Sequence, residues 1–333
     1  MAIMVELEFH SPCTQKEALG MLRELPDTRI IAGGTDLLVL MKDLLVQPGS
    51  VLSLGCIQDL AESDLNQNGL RLGPMMPLWR LEKWKAVGKA YPALLQAVRS
   101  LAAPPIRNQG TVGGNLCLDT KCIYYNQSQV WKRQLTPCLK AGGEVCHVAP
   151  AGKRCLGALT AETIGPLSIY GAELTLTSSV NARSIPIQEF FTGDGLRPHN
   201  MSPEEMITTI QLPLPPPRSG SVYYRFANRK ALEFSQVNLT GSLSLDDGGR
   251  VTSARLIIGS IGPAPVEVKE SLSGIIGEVP SEHLWAQVAR GVAREAVRVS
   301  RSPRLTPYLQ DVVTANAERL FKKTWQQALG NQT

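Results

Sequence analysis

Five of the chain's seven cysteines, Cys117, Cys122, Cys138, Cys146 and Cys155, fall within 39 residues of a 333-residue sequence. In a reducing compartment, thiols at that density hold metal or do redox chemistry more often than they pair as disulfides. Their wide spacing satisfies either a four-thiolate zinc site or an iron–sulfur cluster, and spacing alone leaves both open. His147, beside Cys146, is a conceivable substitute ligand. The cluster follows directly on the run TVGGNLC, in which Gly113-Gly114-Asn115 reads as a turn where no Cβ keeps a bound group away from backbone amides. A second glycine pair, Gly33-Gly34, lies 80 residues earlier and is followed by Thr35 and Asp36, which offer a hydroxyl and a helix cap. Each turn suits a phosphate, and two together suit a gripped pyrophosphate. Neither matches G-x-G-x-x-G or carries the lysine of G-x-x-x-x-G-K-[ST], which disfavours a Rossmann site and a P-loop.

These residues need elements to position them. Residues 3 to 9 alternate like a strand, and Thr14 with Glu17 offers a capping box for a helix over Lys16 to Glu24. Arg29 to Ala32 reads as a short buried strand running through the first glycine turn into a helix from Leu37 to Asp43. Strands are expected at Val51 to Leu54 and Leu70 to Gly73, with Asn66 to Gly69 as a hairpin-like turn. Short helices are expected around Trp79 to Trp84 and over Pro92 to Ala102. Beyond the cysteines, strands are read at Leu174 to Ser178 and Ser184 to Ile187, and the Pro-rich stretch Leu212 to Pro217 marks a domain boundary. A further unit has strands at Val222 to Phe226, Val237 to Leu245 and Val251 to Gly259, then helices over His283 to Val299 and about Pro307 to Leu329.

Composition narrows the class. A hydrophobic fraction of 43% over 333 residues can bury a large core divided among two or three units. The opening MAIMVELEFHSP lacks the basic and apolar regions of a signal peptide, and no stretch reaches the roughly 18 apolar residues of a span. The expectation is a cytoplasmic protein without a membrane partner. A net charge of +5 without a basic helix or aromatic platform gives no footprint for nucleic acid.

AGGTDLL at Ala32 to Leu38 and TVGGNLC at Thr111 to Cys117 resemble the two pyrophosphate loops of the FAD-binding subunits of molybdenum hydroxylases, the xanthine dehydrogenase and carbon monoxide dehydrogenase family. Pro186 to Phe191, the run from Glu204 to Pro213, and GSIGPAPVEV at Gly259 to Val268 extend the likeness over nearly the whole chain. The cysteine segment, an insertion of about 40 residues, is similar to the flavin subunit of the 4-hydroxybenzoyl-CoA reductases, which carries an extra [4Fe-4S] cluster there.

The resemblance implies an α+β fold: a two-subdomain FAD-binding domain of the vanillyl-alcohol-oxidase type at 1–215, interrupted by the insertion at about 117–160, and a small α+β domain at 216–333. It implies FAD held non-covalently by Ile31, Ala32, Gly33, Gly34, Thr35, Asp36 and Leu37, by Thr111, Gly113, Gly114 and Asn115, and by Asp119, Glu162 and Arg225. It implies a cluster on Cys122, Cys138, Cys146 and Cys155, with 15, 7 and 8 residues between successive ligands. Two positions depart from the family. Glu162 stands where an aspartate is usual, and Arg225 replaces a lysine near the flavin ring, where it would stabilise reduced flavin.

Implied partners are a large molybdenum-cofactor subunit and a small subunit with two [2Fe-2S] clusters, as a dimer of heterotrimers. Substrate chemistry would lie on the large subunit, either dehydroxylation of an aromatic CoA thioester or oxidation of a purine, aldehyde or other heterocycle. FAD alone couples NADH to one-electron centres, so the added cluster points to ferredoxin as donor. Lys121, Lys132, Arg133, Lys140, Lys153 and Arg154 give that segment a positive face, which either offsets the thiolates or docks an acidic carrier. A zinc-stabilised scaffold without redox function is the competing reading.

Overall fold

The computed structural model describes residues 7–330. The first subdomain is a three-stranded parallel sheet of β1 (Glu8–His10), β2 (Thr28–Ile31) and β3 (Ser50–Ser53), in the order β1-β3-β2. Most of the strand expected over residues 3 to 9 lies outside the described residues. The crossover from β1 to β2 is the helix Gln15–Glu24, begun by the expected capping box: Thr14 Oγ1 accepts from the Glu17 amide at 3.2 Å, and Glu17 Oε2 accepts from the Thr14 amide at 3.3 Å. Such a cap contributes about 1 kcal/mol. Ala18, Leu19 and Leu22 turn from this helix onto Leu52 and Leu54 to form a small core.

The second subdomain carries β4 (Asp64–Asn66), β5 (Gly69–Leu72), β6 (Glu173–Thr177), β7 (Ala182–Pro186) and β8 (Met206–Leu212) in an antiparallel sheet ordered β4-β5-β8-β6-β7. The tight turn between β4 and β5 requires glycine at 69, where φ is +113° and a Cβ would lie 2.0 Å from the Leu212 carbonyl oxygen. Helices Pro92–Ser100 and Ile164–Ile169 bury Leu94, Val98, Ile164 and Leu167 against this sheet in the main core.

The Pro-rich segment 213–218 separates β8 from the last unit, in which β9 (Ser219–Phe226), β10 (Val237–Leu245), β11 (Val251–Gly259) and β12 (Val266–Val268) form an antiparallel sheet. Helices Glu282–Ser300 and Pro307–Ala328 cover one face, with Trp285 stacked on Phe321 at 5.3 Å. β12 escapes sequence reading because three residues between Pro265 and Lys269 are too few for alternation to register.

This unit is joined to the second subdomain by buried and half-buried polar contacts. The Tyr170 and Ser221 hydroxyls lie 2.5 Å apart, the Tyr223 amide donates to Gln96 Oε1 at 2.8 Å, and Arg255 donates to the Ile169 carbonyl at 3.2 Å. No helix among the described residues is long and apolar enough to cross a membrane.

Candidate flavin cleft and thiol cavity

A cleft of about 1380 Å³ runs between the two subdomains and under the edge of the last unit. That exceeds the roughly 300–1,000 Å³ of a drug-sized site and leaves room for a dinucleotide. Its walls include every residue the sequence assigns to the cofactor except Arg225.

The first glycine segment follows β2 directly, and Gly34 turns the chain at φ +70°. Gly33 packs against the second subdomain so closely that a Cβ would lie 1.8 Å from the Gln109 carbonyl oxygen. Among the described residues, the amides of Gly33, Gly34, Thr35 and Asp36 donate to no protein acceptor. They are a row of free donors at the head of a helix, Leu37–Lys42, as an anion requires. The Asp36 side chain does not cap that helix as expected; it accepts from Lys121 Nζ of the insertion instead.

The second segment differs from its reading as an open turn. Gly113, Gly114 and Asn115 lie inside a five-residue helix, Val112–Leu116, capped by Thr111. Their amides are spent internally: Gly113 donates to the Pro74 carbonyl at 2.8 Å, Gly114 to Thr111 Oγ1 at 3.0 Å, and Asn115 to the Thr111 carbonyl at 3.0 Å. Asn115 Oδ1 accepts from both the amide and the hydroxyl of Thr163. This segment walls the cleft and braces its partner loop, while the free amides belong to the first loop alone.

Each nitrogen of the Arg225 guanidinium donates to a protein acceptor. Nε donates to Glu162 Oε1 at 2.7 Å, Nη1 to the Arg229 carbonyl at 3.1 Å, and Nη2 to the Glu233 carbonyl. The two side chains are 8% and 4% exposed, and Ser100 Oγ donates to the other Glu162 oxygen at 2.9 Å. Burial pushes the Glu162 carboxyl above the usual carboxylate range, and Arg225 limits the rise. Arg225 thus fastens the loop carrying Leu232, Glu233 and Phe234, which lines the cleft, to the floor residue Glu162.

Sequence reasoning missed the stretch Leu196 to His199, which also lines the cleft. No glycine or periodic pattern within it marks it. His199 stacks on Phe190 at 5.0 Å, and its Nε2 is sealed from solvent without a partner. Burial lowers its pKa to about 4. The unfolded chain protonates this residue near 6.5, so it binds more protons than the folded chain between about pH 6.5 and pH 4, and stability falls as pH is lowered through that window. Denaturant melts at pH 7 and pH 5 should show His199→Gln losing roughly 1–2 kcal/mol less than the parent over that interval; equal losses would contradict a neutral buried imidazole.

Beside the cleft, Cys122, Cys138, Cys146 and Cys155 line one small cavity together with Tyr124, Tyr125, Leu139, Lys140 and His147. Backbone bonds hold three of these cysteines in place. The Cys122 amide donates to Asn126 Oδ1 at 2.8 Å, Cys138 bridges to Val145, and the Cys155 amide donates to Asp194 Oδ1 at 3.1 Å. Gly195 leaves space for the Cys155 sulfur, which a Cβ there would approach to 2.7 Å. His147 is tied to the Thr136 carbonyl at 2.8 Å. Cys117 does not line the cavity, and burial pushes its thiol up to about 12. All seven cysteines are free, and no group of three or more His, Cys, Asp or Glu among the described residues is arranged to hold a single metal ion.

A family model described as the FAD binding domain in molybdopterin dehydrogenase matches residues 5–215, and one described as the CO dehydrogenase flavoprotein C-terminal domain matches residues 222–328. The nicotinate dehydrogenase FAD-subunit of Eubacterium barkeri is 25% identical, covering 82% of this chain and 81% of its own. The xanthine dehydrogenase FAD-binding subunit of Escherichia coli O157:H7 is also 25% identical, covering 79% and 77%. In fold, the chain is similar to the reconstituted CO dehydrogenase from Oligotropha carboxidovorans, with a TM-score of 0.77, 19% identity and coverage of 97% and 99%.

Proposed function

The chain belongs to the family of FAD-binding domains in molybdopterin dehydrogenases, and from that premise we propose that it relays electrons through both FAD and a [4Fe-4S] cluster in a molybdenum-containing oxidoreductase complex. As the FAD subunit of an oxidoreductase of this type, it has a cofactor whose chemistry is exchange of one or two electrons. In this reading the amides of Gly33 to Asp36 hold the pyrophosphate, Thr111 and Gly113 to Asn115 brace that loop, and Asp119 and Glu162 line the remaining wall. Residues 1–215 form the flavin domain, and 216–333 the unit that closes over it.

The observation that carries the cluster is the convergence of four thiols on one cavity next to the cleft. The same donor set suits a four-thiolate zinc site, and the described residues form no close group for a single ion; the resemblance of the insertion is what favours the cluster. A cubane seats each thiolate on a different iron and accepts a wider frame.

The partners in this reading are a large molybdenum subunit and a small iron–sulfur subunit, in a dimer of heterotrimers in the cytoplasm. The names of the relatives, nicotinate and xanthine dehydrogenases among them, favour oxidation of a heterocycle over dehydroxylation of an aromatic CoA thioester. The thiol cavity favours the second reading, with ferredoxin as donor. The insertion exposes Arg133, Lys153 and Arg154 with the apolar Ile123 and Val130, a surface suited to an acidic carrier, whereas Lys121 and Lys140 turn inward onto Asp36 and Asp119.

Serine at Cys138 or Cys146 tests both parts. Each variant should lose iron and sulfide, keep FAD, and slow ferredoxin-driven turnover of the complex at least tenfold. Full iron content in both variants would remove the cluster assignment. NADH serving the intact complex as fast as ferredoxin would remove the donor and leave the heterocycle-oxidising reading.

A further inference from the structure

The cleft and the thiol cavity have two side chains in common, Tyr125 and Lys140. Tyr125 is 8% exposed, and its hydroxyl donates to the Leu45 carbonyl at 3.1 Å. Lys140 Nζ lies 5.2 Å from the centre of its ring, and Lys132 Nζ lies 5.1 Å from it. The Lys140 side chain is only 10% exposed; its ammonium donates to Asp119 Oδ1 at 2.5 Å and to Thr120 Oγ1 at 2.7 Å. Asp119 lines the cleft, and Lys140 follows Cys138 by two residues. A fixed positive charge therefore sits in the partition between the two chambers, where water screens it poorly.

Lys153 and Arg154 are exposed to solvent, Lys121 pairs with Asp36 away from the thiol cavity, and Lys132, although it also lies over the Tyr125 ring, lines neither chamber.

We propose that Lys140, seated against Tyr125, is a positioning residue shared by the two redox chambers, and that its charge raises the reduction potential of the group in each. The inference rests on the reading above, in which the cleft holds FAD and the thiols hold an iron–sulfur cluster. An electron gained on either side adds negative charge that the same ammonium stabilises, so removing the ammonium makes both centres harder to reduce.

Anaerobic redox titration of the purified flavin- and iron-loaded chain reads this directly, with flavin followed by absorbance and the cluster by electron paramagnetic resonance. Lys140→Met should shift both midpoints to more negative potential, while Lys140→Arg keeps both near the parent values. Lys153→Met, an exposed charge change in the same segment, should move neither. Asp119→Asn should move both in the positive direction, because the ammonium then lacks its counter-charge, and it carries the test if Lys140→Met fails to load iron. Unchanged midpoints in a loaded Lys140→Met sample, or an equal shift in Lys153→Met, would overturn the proposal. Absence of iron–sulfur signal from the parent protein is a separate outcome: it would sink the cluster reading, and the two-chamber role with it.

Discussion

Alanine at Gly33 is expected to strip the chain of flavin. Its Cβ would fall 1.8 Å from the Gln109 carbonyl oxygen and 2.5 Å from the carbonyl carbon, and a backbone group cannot rotate aside as a side chain can. The first loop must then move away from Gln109 and Gly110, which precede the bracing helix Val112–Leu116. Overpacking of this kind costs about 1–3 kcal/mol, and it acts on the segment that presents the free amides. Flavin retained through gel filtration should drop at least tenfold, with far-ultraviolet circular dichroism unchanged. Gly20→Ala, in a helix where a Cβ meets nothing within 4 Å, should keep its colour and serves as the control. A fully yellow Gly33→Ala protein would contradict the loop assignment.

Arg225→Met should give the largest loss of stability among the substitutions considered. Removing one partner of a buried pair leaves the other charge unpaired, at a cost of about 3–5 kcal/mol, and here both side chains are nearly inaccessible. The cost should depend on pH. The Glu162 carboxyl already sits above its ordinary range because of burial, and without Arg225 it should rise further. A carboxyl raised in the folded state takes up protons that the unfolded chain releases, so its stabilising share is full in acid and is lost as pH rises through the folded value. The deficit of Arg225→Met should therefore be larger at pH 7 than at pH 5 in urea melts, and Glu162→Gln added to Arg225→Met should recover part of it. A deficit that shrinks toward neutral pH would contradict this account.

Much of this arrangement was legible in the sequence, and the reasons differ by element. The Thr14–Glu17 box and the two long C-terminal helices carry local signals, a cap or sustained periodicity, that tertiary structure had no cause to override. The glycine pairs lie in the cleft walls, where close approach of backbone to a neighbouring loop demands glycine whatever the surroundings. The roles within it were less legible. Gly113 to Asn115 read as an open turn, yet Thr111 caps them into a helix and uses their amides, a three-dimensional fact that composition does not encode. Arg225, expected beside the flavin, spans Glu162 and two loop carbonyls. Its partners lie 63 residues upstream and up to 8 residues downstream, separations that no local pattern reports. His199 was invisible for the same reason.

The central claim is that one chain holds flavin and an iron–sulfur cluster in adjoining chambers. Purification under strict exclusion of oxygen, followed by a visible spectrum with iron, acid-labile sulfide and zinc analysis, tests it most directly. The account predicts flavin bands on a broad iron–sulfur absorption, with about four iron and four sulfide per FAD and no stoichiometric zinc. A yellow protein containing one zinc and no sulfide, or a colourless one, would contradict it.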